Sequence, residues 1–343
     1  MKKLSWIDKL IYFFNAVFAV LLLFSYLLPY ISPIIFPIVS LLNFGIPVLI
    51  IVNFLFVLYW LVKAKLHFLL SLLSLLIGFN YITSIYEFSK KEPFDEKKII
   101  RLMSYNVHHF FGPREHSNDN HVANIEAFIR KEKPDILIMQ DYYHDKNLKL
   151  IDAYPFVYLE GKRADSKNSL IIYSSFPIIK KHNFNFPKSS NNAIFADIVV
   201  KGDTLRLFNI HFQSLQINPN IKELQESDKE KLANRLGESF RKQVDQLALI
   251  KPHIENSPYP VIVAGDFNNT AFSYLYKELS SLGLVDAFSE KGRGFGKTYD
   301  FDFIPIRIDF SLFSEEDFKI HDFINYEVEY SDHYPIKTIF EIK

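Results

Sequence analysis

Residues 10 to 62 form a run of 53 positions without a single Asp, Glu, Lys or Arg. As helix, such a run would extend about 80 Å at 1.5 Å per residue, while the hydrocarbon core of a bilayer is about 30 Å thick, so the chain must double back. Pro29, Pro33 and Pro37 cluster where the turn is needed, because proline lacks the amide donor that a helix interior requires. The pattern predicts spans over 10–28 and 38–62, with Pro47 kinking the second. A third apolar run, 66–86, contains one histidine, His67, and no Lys, Arg or Asp; its length suffices for another crossing, which makes three spans.

Lys2, Lys3 and Lys9 precede the first span, and Lys63 and Lys65 follow the second. The excess of Lys and Arg in cytoplasmic loops assigns both flanks to the cytoplasm. An odd span count then delivers the rest of the chain to the extracytoplasmic side. No small-residue cleavage site follows the first span, and the apolar sequence runs on far past it, unlike a secretory signal. The expected organisation is a multi-pass membrane anchor over 1–88, a linker over 89–97 and one further domain over 98–343, with the lipid bilayer as a partner and no protein partner.

Beyond position 87 the chain has 37 acidic and 34 basic residues. Such a balance argues against a protein that wraps nucleic acid through a broad basic surface, although it leaves room for a local basic groove. Cysteine is absent, which excludes disulfides and thiolate chemistry.

Short β-rich runs dominate this part: 99–106, 136–140, 169–173, 194–200, 205–212, 261–264, 308–313 and 337–342. Most alternate or are wholly apolar, as strands do. Helical spacing occurs over 120–132 and 229–255, where Val244, Leu247, Ile250 and Ile254 share a face. Strands mixed with a few helices over this length predict an α/β domain built on a sheet core.

Several strands end in polar residues, which a strand tip would hold rigidly at the sheet rim. These tips are Ser104-Tyr105-Asn106, Gln140-Asp141, Asn209-Ile210-His211, Gly265-Asp266-Phe267-Asn268 and Ser331-Asp332-His333-Tyr334-Pro335, joined by Arg307-Ile308-Asp309-Phe310. They supply carboxylates, amides and imidazoles but no thiol. Such a donor set suits a hard cation such as Mg²⁺, with imidazoles left for phosphate or proton work.

In this order the motifs resemble those of the endonuclease/exonuclease/phosphatase superfamily, over about 99 to 342. GDFN followed some 65 residues later by SDHYP, with RIDF between them, is a specific combination, whereas Asp266-Phe267-Asn268 alone is also an ordinary turn signature. The resemblance implies a four-layer α-β-β-α sandwich of the deoxyribonuclease I type, following the transmembrane helices. It implies a hydrolase of phosphoester bonds that depends on Mg²⁺ or Mn²⁺. Carried over by position, Asn106 would help bind metal or phosphate, Asp141 would hold the principal metal, and Asp332 would support the metal or water network. Asp266 and Asn268 would orient and activate water. His333 would contact the scissile phosphate, with Asp309 fixing its tautomer and raising its basicity, and His211 would be a second phosphate-binding histidine.

Two positions depart from the family pattern. The second strand usually ends in Gln-Glu and here reads Gln140-Asp141, one methylene shorter; His108 stands where some nucleases of the family have an acid. The substrate class stays open between nucleic acid, phospholipid and a small organophosphate. A non-catalytic binding protein on the same fold is the alternative outside enzymes.

Overall fold

The computed structural model describes residues 4–90, 93–112, 120–143, 149–150, 152–160, 169–217, 228–301 and 304–343. Lys2 and Lys3, used above for orientation, and part of the expected linker lie outside them.

The amino-terminal part is a helical bundle. Helix α1 (Trp6–Ser25) starts at Ser5, whose side chain accepts from the Asp8 amide, as a helix N-cap does. A proline-rich connection leads through α2 (Val39–Leu42) to α3 (Ile46–Val62). Pro47 sits in the first turn of α3, so it starts that helix instead of kinking it; a first-turn amide has no helical acceptor to lose. Two helical segments, Trp6–Tyr30 and Val39–Val62, are long and apolar enough to cross a membrane.

The expected third span is corrected from one continuous helix to two short ones that together run back beside α1. The 66–86 run forms α4 (Phe68–Ile77), breaks at Gly78 and resumes as α5 (Phe79–Thr83). Ten residues of helix reach only about 15 Å. At the break the Tyr26 ring occupies the space a Cβ on Gly78 would take, and Tyr26 stacks on Tyr81 with ring centroids 4.9 Å apart. Inside the bundle Asn15 donates to Ser71, Ser71 donates to Asn53, and Trp60 donates to Asn15. These buried amides and hydroxyls satisfy one another, as polar groups between packed apolar helices must.

The rest of the chain is built on two six-stranded mixed sheets. One has the order β15-β16-β2-β3-β5-β4, from β2 (Ile100–Asn106), β3 (Ile136–Tyr142), β4 (Phe156–Glu160), β5 (Ser169–Ser174), β15 (Phe318–Asn325) and β16 (Ile336–Ile342). The other has the order β10-β14-β9-β8-β7-β6, from β6 (Ile178–Asn183), β7 (Asn192–Val200), β8 (Asp203–His211), β9 (Val261–Asp266), β10 (Leu284–Asp286) and β14 (Asp309–Ser314).

Alternation along the strands sends one set of side chains between the sheets and the other outward. Leu102, Ile138 and Ile172 of the first sheet meet Ile194, Leu207 and Ile262 of the second in a dry central layer. The outward face of the first sheet packs Met103, Leu137 and Ile171 against Ile125 and Ile129 of α6 (His121–Glu132). The outward face of the second packs Phe208, Val263 and Leu312 against Leu247 and Ile250 of α7 (Lys229–Glu255) and Leu275 of α8 (Tyr274–Ser280). Helix, sheet, sheet and helix are thus the four layers.

Bundle and sandwich share contacts. Tyr81 stacks on Phe272 at 5.8 Å between ring centroids, and Arg307 donates to the Ser84 carbonyl. Residues of β1 (Tyr86–Phe88) pair with β11 (Arg293–Phe295), inside the sandwich part of the chain.

Candidate active site

Two parallel strand pairs explain why polar tips converge. β2 runs parallel to β3, with Asn106 opposite Gln140, and β8 runs parallel to β9, with His211 opposite Asp266. Parallel neighbours end at the same sheet edge, where open α/β sheets leave their crevices. β14 enters antiparallel beside β9 with Asp309 opposite Asp266. Gly265 allows β9 to approach β8 closely: its φ is +131°, and a Cβ there would lie 2.1 Å from the Ile210 carbonyl oxygen. Only glycine adopts such a backbone without strain.

At the centre, Asp266 is 1% exposed. Its carboxylate accepts from the Asn106 side chain at 3.0 Å, from the Asn268 amide at 2.8 Å and from the Asn268 side chain at 3.2 Å. His211 Nε2 lies 3.4 Å and His333 Nε2 3.7 Å from Asp266 Oδ2. Burial pushes the Asp266 carboxyl above the usual carboxylate range, against the pull of the His333 imidazole and with a further push from Asp309.

His333 Nδ1 is 2.9 Å from Asp309 Oδ2. Burial alone would lower this ring's pKa, but the Asp309 and Asp266 carboxylates outweigh it and lift the ring to about 10. Asp309 is fixed in turn: Thr298 Oγ1 accepts from the Ile308 and Asp309 amides at 3.0 Å each. Tyr299 stands beside His333 with ring centroids 4.9 Å apart.

Asp141 occupies a β-bulge, since the β3–β5 register shifts between Met139 and Tyr142. Its φ of 47° is uncommon for a residue with a side chain and marks a built-in feature. His211 Nδ1 is 3.4 Å from Asp141 Oδ1, and among the described residues that buried oxygen accepts no hydrogen bond. Asp332 Oδ1 lies 3.5 Å from His108 Nδ1. Ser331 ties the two sheet-edge loops together by donating to the Asn106 carbonyl at 2.8 Å.

All but one of the residues singled out from the sequence, Asn106, Asp141, His211, Asp266, Asn268, Asp332 and His333, line one cleft of about 330 Å³, with Asp309 directly behind His333. Among the described residues, Asp266, Asp309 and His333 form the group that brings one potential ligand atom each within 4.8 Å of the others. That closeness is accounted for by the Asp309–His333 hydrogen bond, so it describes a carboxylate–imidazole pair more naturally than a cation cage. Asn106, Asp141 and Asp332, expected from the sequence to hold the metal, line the same cleft outside that group.

Sequence reasoning passed over three features. Gln140 donates to Asn209 at 2.8 Å, and Asn209 donates to the Met139 and Ile171 carbonyls at 3.0 Å each, joining the two sheets beneath the site. Both lie in motifs already singled out, and their place between apolar strand residues was the available signal. Arg307 of the RIDF motif turns away to Asp286 at 2.6 Å. Phe44, from the connection between α1 and α3, lines the cleft, and nothing in its local sequence points there.

Two face-to-face mixed sheets flanked by helices, with an acid–imidazole cleft at the carboxyl ends of their parallel strands, define the class as a four-layer α/β sandwich. Residues 103–333 match the family model described as Endonuclease/Exonuclease/phosphatase family, two thirds of the chain, and the protein belongs to that family. Residues 8–85 match a second model, Domain of unknown function (DUF8431).

Solved structures agree on the fold. The endonuclease/exonuclease/phosphatase from Bacteroides vulgatus is 20% identical with a TM-score of 0.53, covering 71% of this chain and 99% of that one. The human Nocturnin catalytic domain with bound sulfate is 18% identical with a TM-score of 0.54, covering 71% and 95%. D. rerio TDP2 complexed with a single-strand DNA product is 14% identical with a TM-score of 0.52, covering 72% and 100%. No curated protein sequence matches the chain.

Proposed function

We propose that this protein is a membrane-anchored hydrolase of a phosphoester that depends on Mg²⁺ or Mn²⁺, with its active site on the extracytoplasmic side. The observation that carries the reading is His333 held between the carboxylates of Asp309 and Asp266, 2.9 Å from the first and 3.7 Å from the second, in a cleft that also contains Asp141.

The donor set fits a hard divalent cation: oxygen ligands from Asn106, Asp141 and Asp332, no thiol, and on Asp141 a buried oxygen to which none of the described residues donates a hydrogen bond. These three residues would hold it, and when bound the cation supplies charge neutralisation at the phosphate oxygens. Asp266, its pKa raised by burial, accepts a proton from the attacking water, which the Asn268 amide helps orient. Protonated His333 donates to a phosphate oxygen as negative charge builds on phosphorus, and Asp309 keeps the ring cationic and aligned. His211 donates to a second phosphate oxygen.

The extracytoplasmic placement is supported by the direction of the bundle. Asp8 pairs with Tyr59 and Lys63 at one end, while Tyr30, Pro37 and Tyr81 meet the catalytic part at the other, at Lys277, Gly237 and Phe272. α4 and α5 run back beside α1, from His67 against Tyr12 to Tyr81 against Tyr26. The lysine-rich turns are thus at the end remote from the catalytic part.

The test is the full-length protein in detergent or nanodiscs, assayed on bis-p-nitrophenyl phosphate with Mg²⁺, with Mn²⁺ and with neither. Metal-dependent release of nitrophenol is expected; no release under any of the three conditions would reject the hydrolase reading.

A further inference from the structure

The active-site cleft is not made by the catalytic part alone. Phe44 forms part of its wall, and Phe44 lies near the start of the second long apolar segment, two residues before α3 begins at Ile46. It packs against Leu215, Leu236 and Phe240, so that one apolar surface runs from the bundle into the cleft. Tyr299, Phe301 and Ile308 also line the cleft.

Two further observations concern what such a cleft accepts. Among its described lining residues none is Lys or Arg; its potential cations are the imidazoles of His108, His109, His211 and His333. One phosphoester needs only a few such donors at one point. The outward side of the connection is bare and apolar: Ile35 is 67% exposed, Phe36 58% and Leu42 58%. Contiguous exposed apolar side chains mark a membrane or partner contact, and here they continue directly into helices long enough to span a bilayer. With these helices in a bilayer, the cleft would open near its surface, on the side of the connection.

We infer that the substrate is a phosphoester of a membrane lipid, drawn from the leaflet in which the connection lies, with its phosphate at His333 and Asp266 and its apolar part along Phe44 and Leu215. This rests on the hydrolase reading above. Water adds to phosphorus, one P–O ester bond of the lipid breaks, and the proton taken from water is balanced by one delivered to the departing oxygen, giving an alcohol and a phosphate ester.

The full-length protein, reconstituted in vesicles of phosphatidylglycerol, phosphatidylethanolamine and phosphatidylcholine, tests it. Lipid products are followed by mass spectrometry with Mg²⁺ or Mn²⁺ present, and bis-p-nitrophenyl phosphate and a single-stranded oligonucleotide are assayed in the same preparation. Diacylglycerol or phosphatidic acid is expected to accumulate. Phe44→Ser should lower the ratio of lipid to bis-p-nitrophenyl phosphate hydrolysis by about tenfold or more, the scale on which an apolar pocket discriminates. Phe44→Leu, which keeps the wall apolar, should hold that ratio within about twofold. Hydrolysis of bis-p-nitrophenyl phosphate without any lipid product overturns the inference and leaves the hydrolase reading standing. So does preference for the oligonucleotide, or a ratio that Phe44→Ser does not move. Failure on all three substrates removes the hydrolase reading itself, and the lipid assignment with it.

Discussion

The Asp309 carboxylate stands 2.9 Å from Nδ1 of His333, and the same imidazole presents Nε2 toward Asp266 at 3.7 Å. One ring thus bridges a carboxylate at the first residue of β14 and another at the last residue of β9, directly opposite each other in the sheet. Strand register, more than any loop, sets this spacing.

His333→Ala is expected to lower kcat by about 10²–10⁴, the usual worth of a general acid or base, with KM roughly unchanged because the interaction strengthens in the transition state. Asp266→Asn should lose activity on the same scale. Initial rates against substrate for each variant, with folding checked by thermal melting, decide it. If His333→Ala stays within about threefold of the parent, less than any catalytic proton transfer contributes, the Asp309–His333 pair is structural.

The Gln140–Asn209 strut should matter to stability. Asn209→Ala leaves Gln140 Nε2 with only Ser104 Oγ at 3.2 Å as acceptor and strips the Met139 and Ile171 carbonyls of a donor. Each buried polar group left unpaired costs about 1–3 kcal/mol, and in a domain of this size each kcal/mol moves the melting temperature by about 2–4 °C. A fall of at least about 5 °C is expected by thermal melting, and an unchanged midpoint would show that the strut contributes nothing net.

Much of the site could be seen in the sequence because its residues end apolar runs. The runs with polar tips at Asn106, Asp141, His211 and Asp266 form strands whose ends meet, and the segment predicted as helix over 229–255 is helix from Lys229 to Glu255. What escaped has physical reasons. β15 was hidden because its alternation slips at a bulge between Ile320 and Asp322 and because buried Asp322 pairs with Arg293, both invisible to a period-two pattern. β6 carries Lys180 and Lys181 and lies at a sheet edge, where charge is expected and apolar alternation is not. The third apolar run has the composition of a span, but packing of the Tyr26 ring at Gly78 interrupts its helix. Phe44 belongs to the cleft only because the bundle docks on the sandwich, a tertiary contact without local signature.

A reporter that works only in the cytoplasm, fused after Lys343, is expected to be inactive, since Lys63 and Lys65 lie in a turn at the end of the bundle remote from Phe272 and such lysines favour the cytoplasm. Strong reporter activity would reverse the orientation.

Removing the metal separates Asp141 from the residues that act on the proton. Activity should disappear in excess chelator and return with Mg²⁺ or Mn²⁺, because the candidate ligands are oxygen donors; full activity in chelator would sink the metal requirement. Asp141→Ala should then raise the metal concentration for half activity by about ten- to a hundredfold, as loss of a supporting ligand commonly does, with kcat at saturating metal reduced less than in His333→Ala. Asp141→Glu tests the shorter side chain directly. Asp141 sits on a bulge with a φ of 47° and lines the cleft. If the bulge compensates for the lost methylene, Glu overreaches and the metal requirement rises; if it does not, Glu lowers it. Either shift, read from initial rate against metal concentration, ties position 141 to the cation. Identical metal curves for parent, Asp141→Ala and Asp141→Glu would place the cation elsewhere, at the Asp266–Asp309–His333 group.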